Sequence, residues 1–139
     1  MSQENVEIVR RVFAAVARGD TEAVLSLYDP DVEWDGSRHA WATVMGDTQA
    51  GWRGHEGLRK WSREYYAMWE ALDDEVEELI EAGDRVVSVV TTRARGRASG
   101  IEVEWKHNAG VWTVQEGKIV RVVWFPTCAE ALEAAGLQE

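Results

Sequence analysis

The sequence has few of the features that tie a chain to disulfides, membranes or an oxidising compartment. It contains one cysteine, Cys128, which rules out a disulfide within the chain and a cysteine-based metal cluster, and this usage is typical of a reducing compartment. No apolar run approaches the roughly 20 residues of a membrane helix. Residues 1–10 also lack the basic start and apolar centre of a signal peptide. We therefore expect a cytoplasmic protein.

Basic residues are scarce as well. Asp and Glu number 25 against 15 Lys and Arg, which gives a formal net charge of -10. The resulting negative field repels phosphate groups, so neither nucleic acid nor an anionic membrane is expected as a partner. The three histidines follow no metal-ligand spacing, and neither a P-loop nor a dinucleotide-binding glycine motif occurs. No metal and no cofactor are therefore predicted.

The helices are predicted from apolar residues at helical spacing. The chain has 139 residues, 45% of them apolar, which suits a single domain over residues 1–139. One helix, with Val6, Val9, Phe13 and Val16 at helical spacing, ends near Gly19. A second is capped by Asp20 and breaks at Pro30, and a third covers residues 54–72. The third helix has an apolar face made of Leu58, Trp61, Tyr65, Met68 and Leu72. Residues 35–53, which follow a short strand at 31–34, show no period and predict a long irregular loop.

Charge sets the predicted register of one hairpin among the four longer strands that follow. If Ser99-Gly100 is a two-residue turn, Arg97 lies opposite Glu102, and Arg95 lies opposite Glu104. Glu116-Gly117 makes a second turn, which places Val111 beside Val122 and Ala109 beside Trp124. A capping box of Thr127 and Glu130 then starts the last helix.

These registers divide the sheet into an inner and an outer face. The inner face is predicted to hold Val90, Ala94, Val103, Trp105, His107, Ala109, Val111, Val122 and Trp124. The outer face is predicted to hold Arg93, Arg95, Arg97, Trp112, Val87 and Phe125, and an exposed Trp112 would make it the contact of a homodimer. The acidic residues between positions 73 and 81 are interpreted as a solvated strand face.

The order of these elements resembles the nuclear transport factor 2-like superfamily, and most of all its SnoaL-like branch. The motifs that carry the resemblance are LYDPDVEW, GWRGHEGLRKW and VWTVQEGKIVRVVWF. It implies an α+β fold, a cone-shaped barrel whose curved antiparallel sheet wraps around the long helix and encloses a pocket. It also implies a homodimer formed by the outer faces of the sheets.

The same resemblance leaves the reaction open, because the superfamily includes ketosteroid isomerases, epoxide hydrolases, polyketide cyclases and dehydratases. Trp34 stands where the isomerases place their first acid, and Ala109 and Gly110 stand near the place of the second. Trp124 stands where epoxide-hydrolase-like members have an aspartate. The acids that would identify either reaction are therefore absent.

Two residues are candidates for catalysis. His107, as a neutral imidazole among Trp105, Trp124 and Val90, would act as a base near neutral pH. The alternative is a histidine satisfied within a packed core. Asp35 ends the first strand, where the superfamily often places its acid, although alternation groups it with the outward Glu33.

Aromatic residues are the candidates for ligand binding. The chain has eight tryptophans, and aromatic walls suit flat, apolar or cationic ligands. The predicted ligand-binding residues are Trp34, Tyr65, Trp105, Trp124, Trp52 and Val90. Alternatively, large rings fill a cone that would otherwise be hollow.

The sequence thus predicts a pocket protein for a small, largely apolar or aromatic ligand. Any catalysis would be cofactor-free acid-base chemistry such as isomerisation, cyclisation or hydrolysis. His107 would then move the proton, Asp35 would assist it, and Tyr65 or a loop amide would hold the oxyanion. The alternative is a noncatalytic ligand-binding or dimeric assembly module.

Overall fold

A six-stranded, curved and open sheet carries the fold, with helices on both of its faces. The computed structural model describes residues 2–36 and 51–136. The helices are α1 (Ser2–Ala17), α2 (Thr21–Leu27), α3 (Gly54–Met68) and α4 (Cys128–Ala134). The strands are β1 (Tyr28–Asp35), β2 (Gly51–Arg53), β3 (Trp69–Ala82), β4 (Arg85–Gly96), β5 (Glu102–Gln115) and β6 (Lys118–Phe125). The predicted α+β class is confirmed. None of the helices among the described residues is both long and apolar enough to cross a membrane.

The strand order is β2-β1-β6-β5-β4-β3. The prediction of an antiparallel sheet is wrong for one pair of strands, because β1 runs parallel to β6. The other neighbouring strands are antiparallel. The predicted loop over residues 35–53 contains the short strand β2, in which Trp52 pairs with Trp34 of β1. The rest of that predicted loop, residues 37–50, lies outside the described residues.

Helices α1, α2 and α3 cover the inner face. Helix α1 buries Val9, Val12 and Ala15, so its most buried stripe lies beside the predicted one, of which only Val9 is fully buried. Asp20 caps α2 as predicted, because its Oδ1 accepts a hydrogen bond from the Ala23 backbone N–H at 3.1 Å.

Helix α3 ends at Met68, four residues earlier than predicted. Trp69 adopts extended backbone angles and pairs with Gly96 as the first residue of β3. Leu72, which fits the helical spacing, therefore belongs to a strand. Pairing with β4 satisfies the backbone hydrogen bonds of Leu72 as a helix would. Apolar spacing alone therefore did not locate the end of α3.

The hairpin between β4 and β5 closes through a longer loop than predicted. Residues 97–101 form this loop, and the Gly96 N–H donates to the Ile101 carbonyl at 2.9 Å. Opposite charges still meet across the strands, but the predicted pairs are wrong. Arg95 contacts Glu102 at 2.7 Å, and Arg93 contacts Glu104 at 2.8 Å.

A β-bulge at His107 reverses the predicted faces of the second half of β5. His107 has a positive φ of 54°, and the β4–β5 register shifts between Val90 and Thr92. Beyond it, Ala109 and Val111 lie on the outer face rather than on the inner face. Trp112 lies on the inner face, 2% exposed, and pairs with Val122. The predicted turn at Glu116-Gly117 is present, and both residues have positive φ.

Helix α4 covers part of the outer face. Its Ala131 and Leu132, with Ala135, pack on Val87, Ala109, Val111 and Phe125. The predicted capping box starts it, since the Glu130 N–H donates to Thr127 Oγ1 at 3.2 Å. Trp112, which was the argument for a dimer through this face, is buried on the other side. A homodimer stays a prediction.

Candidate functional site

An aromatic cavity of about 90 Å³ lies between the helices on the inner face and the sheet. Rings from α3, β1, β2 and β6 form much of its wall, among them Tyr28, Trp34, Trp52, Trp61, Tyr65 and Trp124. We call this space the aromatic cavity. Its lining includes Gly19 and Asp20, which are exposed at the turn between α1 and α2.

Ring contacts hold these walls in fixed planes. Trp34 stacks on Trp52, with ring centroids 5.8 Å apart and an interplanar angle of 10°, because the two residues pair across β1 and β2. Trp61 stacks on Tyr65 at 4.5 Å and 13°, as residues four apart on a helix can. Trp34 and Trp61 join the two stacks at 5.0 Å. The cavity therefore presents a continuous aromatic wall rather than isolated rings.

Four of the six predicted ligand-binding residues line the cavity: Trp34, Trp52, Tyr65 and Trp124. The other two are not among its described lining residues. Val90 is 1% exposed within the core. Trp105 packs edge-on against Trp69, with centroids 5.9 Å apart, beyond the end of α3.

His107 does not share the cavity with the tryptophans, so its predicted placement is wrong. Its side chain is 65% exposed, and its Nδ1 lies 2.9 Å from Glu77 Oε1. Its backbone N–H donates to Thr91 Oγ1 at 3.3 Å. The physical reason is the bulge, which turns the imidazole away from the inner face. The imidazole therefore cannot reach a ligand held in the cavity.

Asp35 is half-buried at the end of β1, where it pairs with Gly51 and Val123. It is not among the described residues that line the cavity. The predicted pairing of Asp35 with His107 at one site is therefore not observed.

Gly110, which the resemblance places near the second isomerase acid, leaves no room for a side chain unless its neighbours shift. A Cβ on Gly110 would lie 3.0 Å from Trp112 Nε1, 3.1 Å from Ser88 Oγ and 3.2 Å from Trp124 Cζ3. All three distances are shorter than ordinary contact. The two indoles fill the place where a side chain would project.

Besides the exposed Asp20, the described carboxylate that lines the cavity is Asp74, which the sequence interpretation placed on a solvated strand face. That interpretation is wrong for this residue. Leu72 and Asp74 alternate inward and line the cavity, whereas Asp73 and Glu75 are exposed on the other side of β3. The period-two alternation of β3 was a signal for this placement, since Val76 continues it.

The Asp74 carboxyl group is half-buried and accepts a hydrogen bond from a threonine. The Thr92 hydroxyl, on a residue 2% exposed, donates to Asp74 Oδ1 at 2.6 Å. Burial raises the pKa of Asp74, with a smaller increase from the charge of Asp73, and the Thr92 hydrogen bond opposes both. The pKa stays above its usual range. Among the described residues Asp74 has no basic partner, while Asp73 and Glu75 lie 4.0 Å and 3.1 Å from Arg93.

Two tyrosines of α3 lie near this carboxylate. Burial, then the charge of Asp74, raises the pKa of the Tyr65 phenol. The same two causes raise the pKa of Tyr66 to about 12. Both phenols therefore stay protonated at neutral pH and can donate hydrogen bonds.

The charged residues in the described lining of the cavity are all acidic. Among the described residues that line it, Asp20 and Asp74 are the charged ones, and none is Lys, Arg or His. The indole N–H of Trp52 is buried and finds no acceptor among the described residues. Within the same ranges no group of three His, Cys, Asp or Glu side chains is placed to hold a metal ion. Cys128, the first residue of α4, packs against the apolar cluster on the outer face.

A sheet that curves beneath three helices and leaves a cavity between them is the NTF2-like fold. The chain belongs to the family of SnoaL-like domains, which matches residues 9–122. The resemblance stated from the sequence motifs is thereby confirmed. No curated protein matches the sequence.

Solved structures of similar proteins extend over nearly the whole chain. An NTF2-like protein of unknown function from Burkholderia pseudomallei is 24% identical, with a TM-score of 0.77, and the match covers 94% of this chain and 95% of that one. TerC, co-crystallised with polyporic acid, is 24% identical, with a TM-score of 0.76 and coverage of 96% and 98%. A putative SnoaL-like polyketide cyclase from Jannaschia is 19% identical, with a TM-score of 0.73 and coverage of 96% and 92%. At these identities the likeness concerns the fold alone.

Proposed function

We propose that the chain binds a small, largely apolar molecule in the aromatic cavity and transfers protons on it without a cofactor, with Asp74 as the group that moves the proton. The observation that carries this proposal is a carboxyl group inside an aromatic cavity, held by Thr92 and without a basic partner among the described residues. Such a group is a stronger base than an aspartate in water, because burial favours its protonated form.

The reaction class that suits these groups is isomerisation through proton transfer. The Asp74 carboxylate takes a proton from the carbon between a carbonyl and a C=C bond, the C–H electron pair moves into a dienolate, and the carboxylic acid returns the proton at the far carbon of the former double bond. No oxidant, reductant or metal enters this balance. The protonated phenols of Tyr65 and Tyr66 belong to residues that line the cavity and supply donors for the enolate oxygen.

This assignment replaces His107 with Asp74, because the imidazole lies outside the cavity. The names of similar proteins support a small organic ligand in this fold. One was crystallised with polyporic acid, and another is described as a putative polyketide cyclase. Both are supporting analogies at low identity.

A second candidate is noncatalytic binding, favoured by the indole N–H of Trp52. This buried donor has no acceptor among the described residues and belongs to a residue of the cavity wall. A carbonyl oxygen of a ligand would satisfy it, whether or not chemistry follows.

Deuterium exchange separates these two functions. Small cyclic ketones with C–H bonds next to the carbonyl are screened for binding by tryptophan fluorescence, and each bound compound is then followed by NMR in heavy water for exchange of those C–H protons. We expect exchange that falls at least 100-fold in Asp74→Asn, since general base catalysis contributes roughly 10²–10⁴-fold. Affinity should change only a few-fold.

His107→Ala is the matched control, because it removes a titratable group from the opposite face. It should leave both affinity and exchange unchanged. Exchange that survives in Asp74→Asn, or disappears in His107→Ala, contradicts the proposed role of Asp74. Binding without any exchange assigns the noncatalytic function instead.

A further inference from the structure

We propose that the molecule bound in the aromatic cavity carries a positive charge, in the form of a substituted ammonium group that lies against the indole faces beside Asp74. This inference rests on the proposed function for the location of the site. It adds the chemical class of the ligand.

The first argument is the missing counter-charge of Asp74. Its neighbours on β3 meet cations on the outer face, where Asp73 and Glu75 lie within 4.0 Å of Arg93. On the inner face, Asp74 accepts a hydrogen bond from Thr92 but has no basic partner among the described residues. A half-buried carboxylate without a counter-charge is costly. A cationic ligand supplies the charge that the described part of the chain does not.

The second argument is the wall itself. Ammonium groups are attracted to the negative faces of aromatic rings, and most strongly to tryptophan. Trp34, Trp52 and Trp61 line the cavity, and their stacking fixes the orientation of their planes. A methylated ammonium group combines an apolar surface with a diffuse charge. It therefore suits aromatic walls beside the Asp74 carboxylate better than a strongly hydrated primary amine does.

The third argument excludes the opposite charge. The described lining has no Lys, Arg or His to pair with an anion, and both of its charged residues are acidic. An anionic ligand would lie near Asp74 in a poorly solvated space, where like charges repel strongly. A neutral ligand would fit the rings but would leave Asp74 without a partner.

A pair of ligands that differ only in charge tests the inference. Choline and 3,3-dimethylbutan-1-ol have the same shape, with a quaternary nitrogen in one and a quaternary carbon in the other. Their affinities for the whole protein are measured by calorimetry and by NMR titration at neutral pH. We expect choline to bind at least tenfold more tightly than the alcohol.

Two variants locate the effect. Asp74→Asn should weaken choline binding at least tenfold and leave alcohol binding within twofold. Asp73→Asn removes the same charge one residue away, on the exposed side of β3, and should change choline binding less than threefold. Circular dichroism checks that both variants are folded. If Asp74→Asn is not folded, Thr92→Val provides a second change at the same site.

The outcomes are distinguishable. If the alcohol binds as tightly as choline, the positive charge is overturned while a small-molecule site in the cavity survives. If Asp73→Asn weakens choline binding as much as Asp74→Asn, choline responds to the acidic surface in general, and the inference is again overturned. If neither compound perturbs the cavity residues, the inference is overturned, and the ketone screen decides separately whether the cavity is a ligand site.

Discussion

Replacing Thr92 by valine tests the environment of Asp74 directly. Valine keeps the shape of threonine but cannot donate the hydrogen bond that reaches Asp74 Oδ1 at 2.6 Å. Thr92 is 2% exposed, so water cannot easily replace its hydroxyl. The substitution therefore removes one donor from a half-buried carboxyl group and little else.

The magnitude follows from the charge state of the acceptor. A hydrogen bond to an ionised group stabilises a protein by about 1.5–3 kcal/mol, and one between neutral groups by about 0.5–1.5 kcal/mol. At low pH, Thr92→Val loses the smaller amount, because Asp74 is protonated. At neutral pH it loses the larger amount. The pH-dependent part of the loss is therefore about 1 kcal/mol, since some water reaches Asp74.

The direction of the pH dependence follows from the raised pKa of Asp74. An acid whose pKa is higher in the folded state than in the unfolded state destabilises the fold as it ionises. Stability falls as the pH rises from the ordinary value of 3.8 through the raised pKa, and then levels off. Without the Thr92 donor the pKa rises further. The difference between variant and wild type should therefore develop above the ordinary pKa of aspartate.

Thr91→Val is the matched control on the opposite face. Thr91 donates to Glu77 Oε1 at 2.7 Å, and this hydrogen bond is the largest cause of the lowered pKa of Glu77. An acid with a lowered pKa contributes stability above its ordinary pKa, and this contribution is lost as the pH falls. The Thr91→Val difference should therefore develop below 4.5, the ordinary value for glutamate.

Urea unfolding across acidic and neutral pH measures both curves. We expect the Thr92→Val and Thr91→Val differences to change in separate pH windows, on either side of the ordinary carboxyl range. A Thr92→Val curve that stays parallel to wild type at every pH would refute the reasoning, because Asp74 would then not be a desolvated acceptor of this hydrogen bond.

Two further substitutions test the inner face. Ser88→Ala removes the acceptor of the Trp112 indole N–H, which it meets at 2.9 Å with both residues buried, and it should lower the free energy of unfolding by about 1–3 kcal/mol in urea; an unchanged midpoint would contradict this bond. Asp74→Asn should raise stability at neutral pH and leave it nearly unchanged in acid, because the amide oxygen still accepts from Thr92 while the charge is gone; lower stability at neutral pH in thermal unfolding would show that the charge itself supports the fold.

The sequence was most informative where a signal is local. Asp20 and Thr127 cap helices as predicted, since a capping side chain acts on N–H groups two or three residues away. Glu116 and Gly117 make the predicted turn, in which both residues have the positive φ that a type I′ hairpin turn requires. Each of these structures depends on a few neighbouring residues.

The register of β5 was not predictable in the same way. The bulge lies at His107, which has a positive φ although it is not a glycine, so the sequence does not indicate it. Contacts that exist only after folding stabilise it. Asn108 is 2% exposed, and its side-chain Nδ2 donates to the backbone carbonyls of Val90 and Trp105 at 2.6 Å and 3.1 Å. One extra residue exchanges the two faces of a strand. His107 consequently moved from the predicted site to the exterior, and Trp112 moved the other way.

Asp74 was missed for a different reason. It lies within a run of acidic residues, and the charge of that run was given more weight than the alternation of Leu72, Asp74 and Val76. In a strand the period of two decides which face a residue occupies, whatever its charge. The remaining acids of β3 do lie on exposed positions, so the interpretation was right for the strand and wrong for one residue of it.

The free-energy cost of ionising Asp74 in the cavity is itself an argument for its function. The fold places a carboxylate among aromatic rings, where ionisation is unfavourable, and supplies one neutral donor but no cation among the described residues. An asparagine would keep that hydrogen bond without the charge, so packing alone does not explain the acid. Proteins retain destabilising groups of this kind where a ligand or a reaction uses them. A bound cation and a transferred proton both use a carboxylate that the protein leaves uncompensated, and the choline pair and the deuterium exchange measure these two uses separately.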